Sequence, residues 1–142
     1  MAEQPITRRR LLALVPALLL GAGVRARPAH AHATGRARAK HPDPRPGIDA
    51  SNVVPADRVG DPAVAPIFDM VREIPQVVDG IRCYCGCADI PDKYSLLSCY
   101  EADGMAQVCK ICQGQARLAH RLHKAGKSLA EIRDAIDDEF GG

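Results

Sequence analysis

The segment Cys83-Tyr84-Cys85-Gly86-Cys87 carries three of the six cysteines in this 142-residue chain. The others are Cys99, Cys109 and Cys112, so all six lie within 30 residues. In an extended strand, alternate side chains on one face lie about 6.5 Å apart. Sulfurs around tetrahedral zinc, with Zn–S near 2.3 Å, lie roughly 3.8 Å apart. The segment must therefore curl if its thiols are to meet at one ion, and Gly86 is the residue that permits the curl.

The N-terminal residues predict an export signal. Thr7–Arg10 leads into an apolar run over Leu11–Val24, and Ala-x-Ala cleavage sites follow at 29–31 and 31–33. This order is typical of a signal peptide, and the arginine pair favours the twin-arginine route over the Sec route. The run is shorter than the roughly 20 residues that span a bilayer as a helix. We therefore expect residues 1–33 to be removed, and the mature chain to lie in the periplasm or cell envelope without a membrane span.

The next segment, residues 34–64, predicts a disordered linker, because it combines many prolines with small and charged residues and lacks apolar periodicity. The cysteine-rich helical domain then covers residues 65–142. This domain is small for one apolar core, so cross-links or a metal are expected to stabilise it.

The charge of the mature chain excludes a nucleic-acid partner. Five of the 19 Lys and Arg residues, but one of the 17 Asp and Glu residues, lie in the predicted signal peptide. The mature chain therefore carries 14 basic and 16 acidic side chains. With no net positive charge and only five aromatic residues in the whole chain, it lacks the basic and aromatic surface that nucleic acids require.

Apolar residues at steps of three and four predict an all-α domain. We expect a helix from Pro66 that Pro75 ends, a short helix over Ser95–Glu101 and a long helix over Val108–Ala125. The predicted inner face of the long helix consists of Val108, Ile111, Gln115, Leu118, Leu122 and Ala125. Gly126 follows as a stop signal.

A last helix is predicted after Ser128, which forms a capping box with Glu131. Its predicted inner stripe is Leu129, Ile132, Ile136 and Phe140. Because the connection to the long helix is short, these two helices should form an antiparallel hairpin. The sequence thus predicts a small cysteine-rich helical bundle that follows a disordered N-terminal arm.

The cysteines allow three chemical interpretations. In the first, thiolates bind Cu(I) or zinc, with Met105 as an additional thioether ligand for copper. The predicted metal ligands are Cys83, Cys85 and Cys87 as one arm and Cys99, Cys109 and Cys112 as the other. In the second, the six cysteines form three disulfides in one of 15 pairings, and the domain is a structural or binding module. In the third, Cys109 and Cys112 exchange disulfides with a partner, because the start of the long helix favours their thiolates.

Two observations favour metal binding. A twin-arginine route exports a domain already folded in the reducing cytosol, which suits metal-loaded thiolates better than a disulfide framework. Three cysteines in five residues also fit chelation better than pairing. The chain shows no Ser/His/Asp arrangement and no paired catalytic carboxylates. We therefore expect a protein that binds or delivers a soft metal ion, and not an enzyme. If it delivers the metal, its partner is a metal-accepting or thiol-exchanging envelope protein.

The cysteine layout resembles that of exported bacterial proteins named for a PCYCGC motif. The matching segments are Ile81–Cys87, Ser95–Tyr100, Cys109–Cys112, Gly126–Ser128, Glu131–Arg133 and Ile136–Asp137. Arg82 stands where the motif has proline. The resemblance covers about residues 65–142 and implies a small helical cysteine-rich module in the cell envelope. Many relatives resemble lipoproteins, whereas this signal lacks the lipid-accepting cysteine.

A second, shorter likeness involves Cys109-x-x-Cys112-Gln113-Gly114-Gln115 and the helices that follow. From Cys109 to Phe140 the chain is similar to the thiol-reducing subunit of cytochrome c maturation, whose redox motif also precedes helices. This likeness implies a thiol–disulfide oxidoreductase and does not account for the segment Cys83–Cys87.

Overall fold

The computed structural model describes residues 40–102 and 104–142. Its helices are α1 (Ala65–Glu73), α2 (Pro75–Asp79), α3 (Lys110–Lys124) and α4 (Leu129–Phe140). Short 3₁₀ helices cover Ala56–Arg58, Cys87–Asp89, Leu97–Tyr100 and Met105–Gln107. Because these two described ranges contain helices and no strand, the predicted all-α fold is confirmed. The predicted signal peptide lies outside the described residues.

Two prolines set the bounds of the first helices. Pro66 lies in the first turn of α1, and Pro75 begins α2 after a one-residue break at Ile74. Proline is accepted in a first turn, where the backbone N–H has no helical partner, and it interrupts a helix elsewhere. The predicted end of the first helix at Pro75 is therefore confirmed. Ile67 and Phe68 on α1 are both 1 % exposed and form part of the core.

The predicted short helix over Ser95–Glu101 is a 3₁₀ helix at Leu97–Tyr100. Leu96, Leu97 and Tyr100 are fully buried. The ring of Tyr100 packs edge-on against Phe68 of α1, with 4.9 Å between the ring centroids. This contact joins the cysteine-bearing segment to the core.

Helices α3 and α4 pack together as the predicted antiparallel hairpin. Gly126 takes a left-handed conformation with φ +77° just after α3. Ser128 accepts a hydrogen bond from the backbone of Glu131, and the Glu131 side chain accepts one from the backbone of Ser128. The predicted capping box is therefore confirmed. Ile132 and Ile136 of the predicted inner stripe are fully buried.

The predicted inner face of α3 is wrong at its N-terminal end. Val108 is 75 % exposed and Ile111 is 41 % exposed, and the helix begins only at Lys110. The buried residues of α3 are Cys112, Gln113, Gln115, Ala116 and Ala119. The predicted face correctly includes Gln115, but it omits the buried Gln113. Here the two buried glutamines find hydrogen-bond partners on neighbouring loops.

Residues 40–64, for which the sequence predicts a disordered linker, pack against the helices instead. Val53, Val59 and Val64 are buried in the same core as α1. The buried carboxylate of Asp79 accepts hydrogen bonds from the backbone N–H and the guanidinium of Arg45, at 2.8 and 2.7 Å. The expectation of disorder therefore does not hold for residues 40–64, because contacts with distant residues order an arm that has no apolar repeat. Residues 34–39 lie outside the described ranges.

No helix within the described ranges is long and apolar enough to span a bilayer.

Candidate metal centre

The segment Cys83–Cys87 curls as the sequence predicts. Gly86 has φ +90°, a left-handed conformation that side chains with a Cβ rarely adopt, and a 3₁₀ turn begins at Cys87. The Sγ atoms of Cys83 and Cys85 lie 3.2 Å apart, and those of Cys85 and Cys87 lie 2.9 Å apart. The turn has therefore halved the spacing that an extended strand would impose.

The curled segment meets two other parts of the chain at its sulfurs. Cys112 Sγ on α3 lies 3.6 Å from Cys83 Sγ and 3.5 Å from Cys85 Sγ. With the sulfur of Cys99, these form a four-sulfur group whose members all lie within 4.8 Å of one another. Roughly 3.8 Å separates sulfurs around tetrahedral zinc. The four-sulfur group, Cys83, Cys85, Cys99 and Cys112, can therefore hold a metal ion.

The four-sulfur group lies in the core. Cys83, Cys99 and Cys112 are at most 2 % exposed, and Cys85 is half-buried. All of them are free thiols. Gly104 lies so close to the Cys99 backbone that a Cβ at position 104 would clash with the Cys99 carbonyl oxygen. Glycine is therefore required at 104 for the path that carries Cys99 to the other sulfurs.

Gln115 of α3 holds the backbone on both sides of Cys83. Its side-chain Nε2 donates to the Arg82 carbonyl at 3.0 Å, and its Oε1 accepts from the Tyr84 N–H at 3.1 Å. Because Gln115 is fully buried and lies one turn beyond Cys112, the two bonds set the distance between α3 and the curled segment. Gln115 thus pairs with one backbone donor and one backbone acceptor of the curled segment, as a neighbouring β-strand would.

A second group of polar side chains supports the same segment from the other side. The Arg82 N–H donates to His41 Nδ1 at 3.0 Å, so Nε2 carries the ring proton and donates to Asp137 at 2.7 Å. The Tyr84 hydroxyl donates to the same Asp137 oxygen at 2.5 Å. A proline at position 82, as in the motif, has no N–H to donate. The hydrogen bond to His41 therefore exists only because this chain has arginine, and not the proline of the motif, at position 82.

Two further hydrogen bonds position the remaining sulfur-bearing segments. The Tyr100 hydroxyl donates to the Cys112 carbonyl at 2.8 Å. Gln113 donates through Nε2 to the Ala106 carbonyl at 2.8 Å, next to Met105. Because both bonds are buried, removing either donor should lower the stability of the fold.

The thiols of the four-sulfur group alter one another's pKa through hydrogen bonds. Hydrogen bonds from Cys112 and Cys83 lower the pKa of Cys99 to about 4. Hydrogen bonding with Cys83 and then with Cys99, followed by burial, raises the pKa of Cys112. The group therefore carries one negative charge readily and resists further ionisation until a cation compensates it.

The remaining sulfurs lie outside the four-sulfur group. Cys87 Sγ lies 3.6 Å from Met105 Sδ in addition to its contact with Cys85. Cys109 is the half-buried N-cap residue of α3. The structure thus brings four of the six predicted ligands together and places Cys87 beside two of them, Cys85 and Cys99, whereas Cys109 is not a member of the group. That all six bind metal stays a prediction.

Sequence reasoning placed Gln115 on the inner face of the long helix but gave it no role at the sulfurs. It assigned no positioning role to the other side chains that support the site, which are His41, Tyr84, Gln113 and Asp137. One signal was present: Gln115 and Ala119 follow Cys112 at helical spacing, so a buried Cys112 implies a buried Gln115. The role of His41 had no local signal, because its partner on α4 is 96 positions away.

A family model described as a protein of unknown function with PCYCGC motif matches residues 17–142. This range includes every cysteine and all four helices, and it confirms the resemblance inferred from the cysteine layout. No curated protein and no solved structure matches the chain. The likeness to the thiol-reducing subunit of cytochrome c maturation has no support in these comparisons.

Proposed function

The chain belongs to the PCYCGC-motif family, and we propose that it binds a soft metal ion, Cu(I) or zinc, for handling or delivery in the cell envelope. The observation that carries the proposal is the four-sulfur group. Its members come from three segments that are separate in sequence. A fold that brings four thiols of this kind to one point has the ligand set of a thiolate metal centre.

The geometry favours a metal over disulfides. A disulfide joins its sulfurs at about 2.05 Å and pairs them two by two. Here Cys85 lies within 3.5 Å of three other sulfurs, so no single pairing accounts for its surroundings. An ion at the centre of the group satisfies all four thiolates together and offsets their mutual repulsion.

The donor set favours a thiophilic ion. The four-sulfur group contains neither imidazole nor carboxylate, and thiolates select Cu(I) and zinc over the harder cations. Four thiolates complete the tetrahedral coordination of zinc. Because Cys85 is half-buried while the other three are buried, an incoming or departing ion reaches the centre at Cys85.

The experiment compares Cys112→Ser with Cys109→Ser, which removes the other cysteine of the same Cys-x-x-Cys. Zinc affinity is measured by chelator competition on anaerobically purified, reduced protein. We expect the parent chain and Cys109→Ser to bind one zinc. Cys112→Ser should lose about 100-fold in affinity, which corresponds to about 2.7 kcal/mol. This is close to a quarter of the binding free energy of a structural zinc site at the lower end of its range of roughly 10–16 kcal/mol, as expected for the loss of one ligand in four.

Thiol titration and thermal unfolding complete this test. Removal of zinc by a chelator should free all six cysteines for titration and lower Tm, because the metal binds only the folded state. A protein that carries three disulfides and no metal when purified without oxygen would overturn the proposal. Equal zinc affinity in the two variants would remove Cys112 from the site.

We also propose that the chain is exported through its N-terminal twin-arginine signal and acts in the periplasm or envelope. Cell fractionation with N-terminal sequencing tests this proposal. Cleavage after residue 31 or 33 supports it, and an intact N-terminus in the cytosolic fraction contradicts it. A Lys-Lys substitution of Arg8 and Arg9 should block export if the route is twin-arginine.

A further inference from the structure

We infer that the centre takes a second soft ion, held by Cys85, Cys87 and Met105, so that the Cys85 thiolate bridges two Cu(I) ions. This inference rests on the proposed function, because the first ion supplies the other side of the bridge. It assigns roles to two sulfurs, Cys87 and Met105, that the four-sulfur group leaves unused.

The sulfur positions support a second site. Cys87 Sγ lies 2.9 Å from Cys85 Sγ and 3.6 Å from Met105 Sδ. Two sulfurs that share an ion with metal–sulfur bonds near 2.3 Å can be separated by at most about 4.6 Å. Both distances fall below this limit. Cys87 is therefore placed to share one ion with Cys85 and with Met105.

Cys87 does not belong to the first site. Four thiolates already complete a tetrahedral ion, so a fifth has no coordination position there. The Cys87 side chain is nevertheless turned into the protein, with 3 % exposure, and faces sulfur on two sides. A sulfur in this position contributes to binding only if Cys85 is shared between two ions.

The thioether identifies the second ion as Cu(I). Met105 offers a soft, uncharged sulfur, a ligand type that suits Cu(I) and is absent from the usual zinc donors, which are thiolate, imidazole and carboxylate. Zinc should therefore fill only the four-sulfur group. Copper should fill both sites, which makes the stoichiometry different for the two metals.

The second site lies on the solvent side of the first. Met105 is 47 % exposed and Cys85 is half-buried, whereas the other three sulfurs of the first site are buried. An ion bound by Met105 and Cys87 would also bind Cys85, which is at the same time a ligand of the ion in the four-sulfur group. The outer site is therefore the place where copper enters or leaves, and its ion should be the more accessible to chelators.

The test is a titration of the reduced, anaerobic chain with Cu(I) in the presence of a Cu(I) chelator, and a parallel titration with zinc. We expect two Cu(I) ions and one zinc for the parent chain. Cys87→Ser and Met105→Leu should each bind one Cu(I) under the same competition and still bind one zinc. Met70→Leu on α1 serves as the matched methionine control and should bind two Cu(I).

X-ray absorption of the copper-loaded chain provides a second measurement. A copper–copper scattering path should be present in the parent chain and absent in Cys87→Ser. Unchanged zinc binding shows that the variants are folded. Loss of zinc binding from Met105→Leu would assign Met105 to the fold instead of the second site and overturn its role as a ligand.

The results separate the two proposals. If the parent chain binds one zinc and only one Cu(I), the second site is wrong and the proposed function stands. If Cys87→Ser still binds two Cu(I), the bridge through Cys85 and Cys87 is wrong. If neither metal binds, the proposed function itself fails.

Discussion

Polar side chains at the two ends of the α3–α4 hairpin differ in burial. At the end that carries the sulfurs, Gln115 is fully buried and bonded to two backbone groups. At the turn, Lys127 and Glu131 are about half exposed and pair with each other at 2.8 Å. Polar residues of the hairpin therefore position a site at one end and remain in solvent at the other.

The energetic consequences of this difference are large. A buried donor or acceptor that loses its partner costs about 1–3 kcal/mol. An exposed ion pair contributes roughly 0–1 kcal/mol. Substitutions of similar size at the two ends should therefore differ clearly in their effect on stability and on metal affinity.

Gln115→Met should have the largest effect on the free energy of unfolding. It preserves the side-chain length but removes the hydrogen bonds to the Tyr84 N–H and the Arg82 carbonyl, which costs about 2–5 kcal/mol for two partly buried backbone groups. Urea unfolding of the reduced, metal-free chain measures it, and zinc affinity should fall as well. Gln76→Met is the control, because Gln76 makes one exposed bond to the Ile48 carbonyl. Equal costs for the two variants would contradict the role of Gln115.

Tyr84→Phe should have the next largest effect. It removes a hydroxyl that donates to the partly buried Asp137 carboxylate, a bond to a charged group worth about 1.5–3 kcal/mol. Tyr94→Phe is matched to it, since the exposed Tyr94 hydroxyl donates only to the Asp43 carbonyl. We expect urea unfolding to show a loss for Tyr84→Phe and a much smaller one for Tyr94→Phe. A larger loss for Tyr94→Phe would show that hydrogen bonds near the sulfurs do not contribute more to the free energy of unfolding than exposed ones.

Ser128→Ala tests the turn end. It removes the side chain that caps α4 and should cost about 1 kcal/mol in urea unfolding. Zinc affinity should not change, because the cap lies at the end of the hairpin away from the sulfurs. A loss of zinc affinity comparable to that of Gln115→Met would mean that the two ends are coupled.

Glu131→Gln should have the smallest effect, and it should depend on pH. A hydrogen bond from Lys127, and then bonds from Ser128, lower the pKa of Glu131 from its ordinary value of 4.5 to about 2. The ionised carboxylate therefore stabilises the fold above about pH 4.5, and this contribution is lost as the pH falls toward 2. The small difference between the parent chain and the variant should shrink over that range. A difference that grows on acidification would have the wrong sign.

Local rules were sufficient for much of the fold. Pro75 interrupts the helical backbone, Gly86 accepts a left-handed conformation, and Ser128 with Glu131 caps a helix. Each of these effects depends on residues within a few positions of one another. For this reason the predicted breaks, the curl and the cap all appear in the structure.

Long-range contacts account for the predictions that failed. The arm over residues 40–64 has no apolar repeat, yet Arg45 reaches the buried Asp79 and His41 reaches Asp137. The predicted inner face of α3 was wrong at Val108 and Ile111, and it omitted the buried Gln113, whose hydrogen-bond partner is a backbone carbonyl of another segment. Neither kind of partner can be recognised from neighbouring residues.

The amino-acid sequence by itself determined the clustering of six cysteines, the curl of the segment Cys83–Cys87 and the helical hairpin. These features follow from residue spacing and from the backbone preferences of nearby residues. Only the tertiary structure decided that Cys83, Cys85, Cys99 and Cys112 meet in one group and that this group does not include Cys109. The physical reason is distance: an ion joins sulfurs only within a few ångströms, and packing between segments far apart in the chain sets those separations.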